Sequence, residues 1–188
     1  MLSTAGLIVL APVFALVAVA VKLTSPGPVF YRRTVFGRGG RPFVMLKFRS
    51  MVINAHDMLL NDPELRKVYE ETLKLENDPR ITPLGQFLRR SSLDELPQLV
   101  NVLAGQMSLV GPRVLGDIEL KRYGDLRNKI LSVQPGLTGL WQVSGRQDTS
   151  FEERMAFDER YIDGWSFYAD LAILMRTVFA VIGMKGAH

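Results

Sequence analysis

The chain has 188 residues, of which 47% are hydrophobic and 22% charged, with a formal net charge of +4 and a pI near 9.5. This length can bury one hydrophobic core, so we predict one main folded unit. The positive net charge favours anionic partners such as phosphates or acidic lipids. Cysteine is absent, which excludes disulfides and thiolate metal sites. The two histidines, His56 and His188, are isolated, which argues against a histidine metal site or a Ser-His triad.

The first 23 residues form an apolar leader, in which residues 2–21 carry no charged side chain. As a straight helix the leader would reach roughly 34 Å, which is enough to cross a bilayer, and Pro12 near its middle predicts a bend. The residues alone leave open a span, a re-entrant hairpin that turns near Ala11 and Pro12, and a buried core helix. For both membrane topologies the positive-inside rule places the rest of the chain in the cytoplasm, because basic residues follow closely at Lys22, Arg32, Arg33, Arg38 and Arg41.

Local patterns predict a β-hairpin followed by helices. Residues 29–31 and 43–46 flank the glycine cluster 37–40, which is typical of a turn and gives only weak support for a phosphate-binding loop. Alternation along the second strand would place Lys47 and Arg49 on one face. Residues 52–76 should form two helical pieces that restart at Asp62 and Pro63. Thr82 and Pro83 open another helix, which ends near residue 90.

Patterns in the second half of the sequence predict further short helices and strands. We expect short helices over residues 115–124 and 125–133, a turn at 135–139 and a strand at 140–143. Ser150 and Glu153 form a capping box that opens a helix to about Tyr161. Residues 167–184 form an apolar helix interrupted by Asp170 and Arg176. It is slightly short for a span, so we expect a core helix or one that lies along a membrane interface.

The most informative segment is residues 91–97, followed by residues 107–113. Asp94 and Glu95 lie between Arg89 and Arg90 on one side and Arg113 on the other, within apolar sequence. This arrangement suits phosphate chemistry, because arginines bind phosphate oxygens in a fork, one carboxylate can hold a cation and another can attack. The alternative is structural: residues 92–95 also match the S-x-x-E capping box. A turn feeding a helix to about residue 103 is expected here, with Gly105 as its stop.

With these motifs in view, the chain resembles the bacterial sugar transferase family, the monotopic polyprenyl-phosphate phosphoglycosyl transferases. The match covers nearly all of residues 9–188, and residues 61–65 and 186–188 look most like the subgroup that transfers galactose or glucose 1-phosphate to undecaprenyl phosphate. The motifs that carry the resemblance are LAP (10–12), TSPGPVF (24–30), LKFRSM (46–51), SLDELPQL (92–99), SLVGPR (108–113), PGLTG (135–139) and LWQVSGR (140–146).

The resemblance implies an α+β fold, with a mostly helical cytoplasmic domain, a small β-hairpin and an N-terminal re-entrant membrane helix. Residues 1–24 would be the re-entrant helix–break–helix, with its break at Ala11 and Pro12. Residues 25–188 would be the catalytic domain with interfacial helices, at the cytoplasmic face of the bacterial inner membrane. Two departures stand out: the basic stretch that usually precedes the apolar run is missing before Met1, and Val114 replaces the usual proline after Arg113.

The reaction implied moves a sugar 1-phosphate from a UDP-sugar to undecaprenyl phosphate, with Mg²⁺, and releases UMP. It would be the first membrane step in assembling polysaccharides such as exopolysaccharide or O-antigen. Asp94 would be the nucleophile that forms a covalent phosphosugar intermediate, and Glu95 would serve the metal. The candidate residues for binding substrate phosphate are Lys47, Arg49, Arg89, Arg113, Gln142 and Arg146.

Two rival interpretations remain at this point. Within the enzyme class, the transfer could be direct, through a ternary complex in which Asp94 or Glu95 acts as a base. From another class, the chain could be a basic membrane-anchored binding module for acidic lipids or nucleic acid, although no nucleic-acid motif is visible and we expect no such partner. The expected partners are therefore the UDP-sugar, undecaprenyl phosphate and membrane lipids, with a homodimer left open.

Overall fold

The computed structural model describes residues 2–73, 75, 77–145 and 149–183. Three short 3₁₀ turns, Arg38–Gly40, Leu93–Glu95 and Gly124–Leu126, join the main elements. In chain order those elements are α1 (Leu2–Thr24), β1 (Phe30–Phe36), β2 (Pro42–Phe48), α2 (Ala55–Asn61), α3 (Pro63–Thr72), α4 (Pro83–Arg90), α5 (Gln98–Leu103), β3 (Ser108–Val110), α6 (Asp117–Arg122), α7 (Arg127–Ile130), β4 (Gly136–Thr138), α8 (Leu140–Ser144), α9 (Phe151–Asp163) and α10 (Phe167–Ile182).

Many helices and two small sheets confirm the α+β class. In the first sheet β1 and β2 are antiparallel, with Phe30 opposite Phe48 and Phe36 opposite Pro42. The turn between them requires glycine at two positions, because Gly39 and Gly40 adopt the left-handed conformation with φ values of 72° and 70°. This confirms the predicted hairpin and the turn interpretation of the glycine cluster.

The second sheet consists of β3 and β4 and was not predicted from the sequence. The predicted turn at 135–139 contains β4, which pairs in parallel with β3, with Ser108 opposite Gly136. Glycine is required where the two backbones meet, because a Cβ on Gly136 would lie 2.2 Å from the backbone nitrogen of Gly111. The predicted strand at 140–143 is also wrong, because these residues form α8, in which Trp141 is buried.

The predicted helix starts are confirmed where a capping side chain lies three residues before the backbone group that it binds. Thr82 accepts a hydrogen bond from the backbone of Gly85 at 2.9 Å, and Asp62 accepts one from Leu65 at 2.9 Å, each just before a first-turn proline. Ser150 and Glu153 form the predicted capping box at the start of α9. These side chains fix three helix starts without help from distant residues.

The leader forms one helix, α1, whose assignment continues through Pro12. Val17 and Val21 are buried in a cluster with Phe48 and Leu88, whereas Leu16, Val19 and Leu23 on other faces are exposed. Within the described residues, no helix meets the length and hydropathy needed to span a membrane. The re-entrant path and the break at Ala11 and Pro12 stay predictions.

Phe48 is the centre of this junction between α1 and the hairpin. Its side chain is 1% exposed, and its ring centroid lies 5.4 Å from those of both Phe14 and Phe30. We expect Phe48→Ala to lower the free energy of unfolding by about 3–5 kcal/mol, because it leaves a cavity beneath α1. Val44→Ala on the same strand, where the side chain is 47% exposed, should cost less than about 1 kcal/mol. Denaturant unfolding checks both, and equal costs would contradict this packing role.

Helix α10 packs on one side only. Ile173 is buried with Val110 and Tyr161, and the Thr177 hydroxyl lies 2.8 Å from that of Thr138. The opposite side presents large apolar side chains to the surroundings: Phe167, Tyr168, Leu171, Met175, Val178 and Phe179. The predicted helix at 167–184 is therefore present to Ile182, whereas Met184 lies outside the described residues.

Candidate active site

Asp94 and Glu95 lie on the tight 3₁₀ turn between α4 and α5. The turn begins at Ser92, a non-glycine residue in the left-handed region with φ of 56°. Ser92 makes no side-chain cap, so the capping-box interpretation of residues 92–95 is wrong. A left-handed serine costs backbone energy, and such residues cluster at functional sites. The predicted helix to Leu103 follows as α5, and Gly105 at φ of 69° ends it.

The Asp94 carboxyl group is buried, with 7% of the residue exposed. Burial raises its pKa to about 6, and the negative charge of Glu95 adds to that rise. The positive charges of Lys47, Arg89 and Arg113 act in the opposite direction and favour the ionised form. Asp94 is thus a largely ionised, poorly hydrated carboxylate at neutral pH, which is the state that a carboxylate nucleophile requires.

Glu95 is held by a cation from the hairpin. Lys47 Nζ donates to Glu95 Oε1 at 2.5 Å, and both side chains are mostly buried. Lys47 reaches this position because it is near the end of β2, opposite Tyr31 in the register. The ion pair therefore links the strand to the turn that carries both carboxylates.

Arg89 approaches the same turn from the last residues of α4. Its Nε donates to the Ser50 hydroxyl at 2.9 Å. Burial lowers the pKa of Arg89, while Asp94 and Asp78 favour its charged form. Helix α4 can lie this close to Ser50 because residue 85 is glycine, where a Cβ would be 1.9 Å from the Ser50 carbonyl oxygen.

Arg113 follows β3 through the buried residues Gly111 and Pro112. Its backbone N–H donates to Asp158 Oδ1 at 3.3 Å, and its guanidinium lies 5.0 Å from the centre of the Trp141 ring. Asp158 also accepts from the Tyr123 hydroxyl at 2.8 Å. Burial raises the pKa of Asp158 to about 7. The Asp158 carboxyl group therefore anchors the backbone at Arg113.

This region also contains four residues that were not predicted from the sequence as site residues: Tyr123, Trp141, Arg154 and Asp158. One signal was available for Asp158. It lies at helical spacing with Phe151, Met155 and Ile162, which pack into the core, so a carboxylate occupies a position where an apolar side chain is expected. A charged group at a core position needs partners, and these turn out to be the Tyr123 hydroxyl and the Arg113 backbone.

The contacts described for the other predicted phosphate-binding residues do not involve Asp94 or Glu95, and one of these residues lies outside the described part of the chain. The Arg49 guanidinium donates to the Ser25 carbonyl at 2.7 Å and to the Pro26 carbonyl, so Arg49 connects the end of β2 to the segment that follows the leader. Gln142 is half-buried on α8, and its side-chain oxygen has no partner among the described residues. Arg146 lies outside the described residues.

The candidate site combines a buried carboxylate with a second carboxylate and three cations. Its residues are Asp94, Glu95, Lys47, Arg89 and Arg113. Among the described residues, no group of three or more histidine, cysteine or acidic side chains could hold a metal by itself. Two adjacent carboxylates do fit Mg²⁺, which is commonly bound by one or two carboxylates together with substrate phosphates and water. The chemistry supported is the handling of a phosphate or diphosphate.

Comparison with known proteins gives relatives that align with most of the chain. The chain is 49% identical over 86% of its length to an undecaprenyl-phosphate galactose phosphotransferase of Salmonella typhimurium, and covers 35% of that protein. It is 41% identical over its full length to a UDP-glucose:undecaprenyl-phosphate glucose-1-phosphate transferase of Escherichia coli, and covers 40% of it. It is also 42% identical to the exopolysaccharide production protein ExoY of Rhizobium meliloti, with 99% of the chain and 84% of the relative aligned.

The chain spans about two fifths of the length of the Salmonella and Escherichia relatives, so their complete activities are properties of longer proteins. The family model described as Bacterial sugar transferase matches residues 1–184. That range contains both carboxylates, the three cations around them and the leader. The chain belongs to the bacterial sugar transferase family.

Proposed function

We propose that this chain transfers a hexose 1-phosphate from a UDP-sugar to undecaprenyl phosphate and releases UMP. The observation that carries the proposal is the buried Asp94 carboxylate beside Glu95, with Lys47, Arg89 and Arg113 acting on its charge. The printed names of the relatives support the substrates, since they include galactose and glucose phosphotransferases that act on undecaprenyl phosphate. Galactose and glucose are therefore the first sugars to test.

The reaction we propose has two steps that conserve atoms and charge. In the first, an Asp94 oxygen attacks the phosphorus that bears the sugar, and the bond from this phosphorus to the UMP oxygen breaks with its electron pair. In the second, a phosphate oxygen of undecaprenyl phosphate attacks the same phosphorus and releases the Asp94 carboxylate. Arg89 and Arg113 stabilise the charge that spreads over the phosphate oxygens in both steps.

Glu95 would hold Mg²⁺, which leaves Asp94 available to attack the phosphorus. Bound there, the ion would supply neutralisation of charge on the phosphate oxygens. Lys47 fixes the position of the Glu95 side chain by an ion pair at 2.5 Å. The two neighbouring carboxylates would in this way have different roles.

The acceptor explains the apolar surfaces on α1 and α10. An isoprenoid phosphate keeps its tail in the bilayer, so its reacting oxygen stays near the headgroups. A re-entrant leader inserted into one leaflet, with the rest of the chain on the cytoplasmic face of the bacterial inner membrane, would hold Asp94 at that height. The exposed leader residues Leu16, Val19 and Leu23 supply apolar area for this insertion.

Trapping the intermediate tests the proposal. Protein incubated with UDP-hexose labelled in the sugar phosphate, without acceptor, should retain about one label per chain and release an equal amount of UMP. The linkage should be cleaved by hydroxylamine, as expected of an acyl phosphate, and adding undecaprenyl phosphate should discharge the label onto lipid. UMP release that strictly requires acceptor, with no label on protein, would instead establish the ternary-complex mechanism. Absence of UMP release from every UDP-hexose, with binding to acidic vesicles retained, would favour the binding-module alternative.

A further inference from the structure

The buried indole of Trp141 has two arginines close to its ring, one from the loop after β3 and one from α9. The guanidinium carbon of Arg113 lies 5.0 Å from the ring centre, and that of Arg154 on α9 lies 4.9 Å from it. Trp141 itself is only 4% exposed. An indole fixed in the core is therefore in contact with two planar cations.

This arrangement places like charges together. The positive charge of Arg113 lowers the pKa of Arg154, as does the burial of Arg154. In the described parts of the chain, neither guanidinium has a carboxylate within ion-pair distance. The Asp158 carboxyl group interacts electrostatically with both guanidinium groups. Its oxygens, however, accept hydrogen bonds from the Arg113 backbone N–H and the Tyr123 hydroxyl and not from either guanidinium. Two neighbouring half-buried cations without a paired carboxylate favour the binding of an anion at this place.

Unpartnered polar atoms occur at the same place. The Trp141 indole N–H is buried and has no hydrogen-bond partner in the described structure, and the same holds for the side-chain oxygen of the adjacent Gln142. Such atoms are rare in folded proteins and often mark a site for a ligand or ordered water. The guanidinium of Arg154 is meanwhile held loosely, with contacts of 3.3 and 3.4 Å to the carbonyl and hydroxyl of Thr149.

We infer that Arg154 is a nucleotide-binding residue that, together with Arg113, holds the phosphate of the departing UMP. This inference rests on the proposed function. Arg113 is a common neighbour of Asp94 and Arg154, since its charge acts on both. The phosphorus attacked by Asp94 would lie by Arg113, so the next phosphate along the diphosphate falls toward Arg154. Arg154 would thus set affinity for the nucleotide and not for the lipid acceptor.

Replacing Arg154 with glutamine tests this assignment. We expect Arg154→Gln to raise the KM for UDP-hexose and the inhibition constant of UMP about 10-fold or more, because a charge-assisted contact is lost. The KM for undecaprenyl phosphate should stay unchanged. Arg154→Lys, which keeps the charge without the planar group, should recover part of the loss. The matched control is Arg160→Gln on the same helix, where an exposed arginine lies over Phe157 at 5.7 Å and should alter none of these constants.

A direct binding measurement separates this inference from the reaction itself. Calorimetric titration of UMP into wild type and Arg154→Gln, both checked for the same melting temperature, needs no catalysis. Equal UMP affinity in the two proteins, with wild type releasing UMP normally, would overturn the inference and leave the proposed function intact. Weaker UMP binding by the variant, in a chain that transfers no sugar phosphate, would support the phosphate site and refute the reaction.

Discussion

Asp94→Asn is expected to abolish sugar-phosphate transfer while making the folded chain more stable at neutral pH. An amide oxygen cannot form the acyl phosphate, so we expect activity to fall by about a thousandfold or more and no labelled phosphosugar to remain on the protein. The stability gain has a different cause, because the wild-type carboxylate is buried and must ionise at a cost. Asp94 would therefore be required for the reaction while lowering the free energy of unfolding.

The sign and the pH window of this gain follow from the pKa. Folding raises the pKa of Asp94 from an ordinary value of 3.8 to about 6, so Asp94 loses its proton at a lower pH in the unfolded state than in the folded state. Above pH 6 the ionised carboxylate therefore lowers the free energy of unfolding by about 3 kcal/mol, an effect that disappears as the pH falls below the unfolded value. Asp94→Asn should remove this penalty at pH 7.5 and leave stability nearly unchanged at pH 3.5.

Denaturant unfolding at the two pH values, with transfer assays alongside, measures both effects. Asp125→Asn is a matched control, because this aspartate is exposed on a 3₁₀ turn and should change neither activity nor stability by much. A variant less stable than wild type at pH 7.5 would contradict the burial cost. Retained transfer by Asp94→Asn would remove Asp94 from the role of nucleophile.

Local chemistry explains which parts of the fold were predictable. Thr82, Asp62 and Ser150 each cap a helix within three residues, and Gly39 and Gly40 supply the left-handed turn of the hairpin. All these interactions lie within a few positions of each other along the chain. The S-x-x-E match at Ser92 shows the limit of such patterns, because the same residue types there form a left-handed turn without a cap.

Long-range pairing explains what the sequence pattern missed. Strands β3 and β4 have three residues each and lie far apart along the chain, so neither has a periodicity that a local pattern could reveal. Alternation placed Lys47 and Arg49 on one face, but β2 ends at Phe48 and the two side chains diverge, one to Glu95 and the other to the leader. Asp158 reaches Arg113 across 45 positions, a contact that only tertiary packing creates.

The candidate site shows the same division. Asp94, Glu95 and Arg89 are close in sequence, and Arg113 follows soon after, so the core of the acidic and basic cluster could be predicted from spacing. Lys47, by contrast, comes from a strand 48 positions away. The sequence marked it as one of several basic residues, and only the hairpin's packing against the turn singles it out.

Lys47→Met should give the second large effect, a loss of activity at pH 7 that is partly recovered at higher pH. Among the charges around Asp94, that of Lys47 contributes most to keeping the carboxyl group ionised. Lys47 also neutralises Glu95 at 2.5 Å, and without it the two carboxylates repel each other. We expect the pKa of Asp94 to rise by about 1 unit or more above its wild-type value near 6. At pH 7 the nucleophile would then be substantially protonated.

The pH dependence of kcat/KM for the UDP-sugar distinguishes this cause from simple misfolding. In wild type, activity should fall below about pH 6 as Asp94 takes up a proton, and in Lys47→Met the same fall should begin near pH 7 or higher. Activity at pH 7 should drop about 2-fold for a pKa rise of 1 unit and about 10-fold for a rise of 2 units, and it should recover at pH 8.5, because raising the pH restores ionised Asp94. Lys47→Arg should keep the wild-type profile, and Lys121→Met, at an exposed position of α6, should do so too. If the Lys47→Met profile is lowered uniformly at every pH, Lys47 acts on substrate or metal and not through the charge of Asp94.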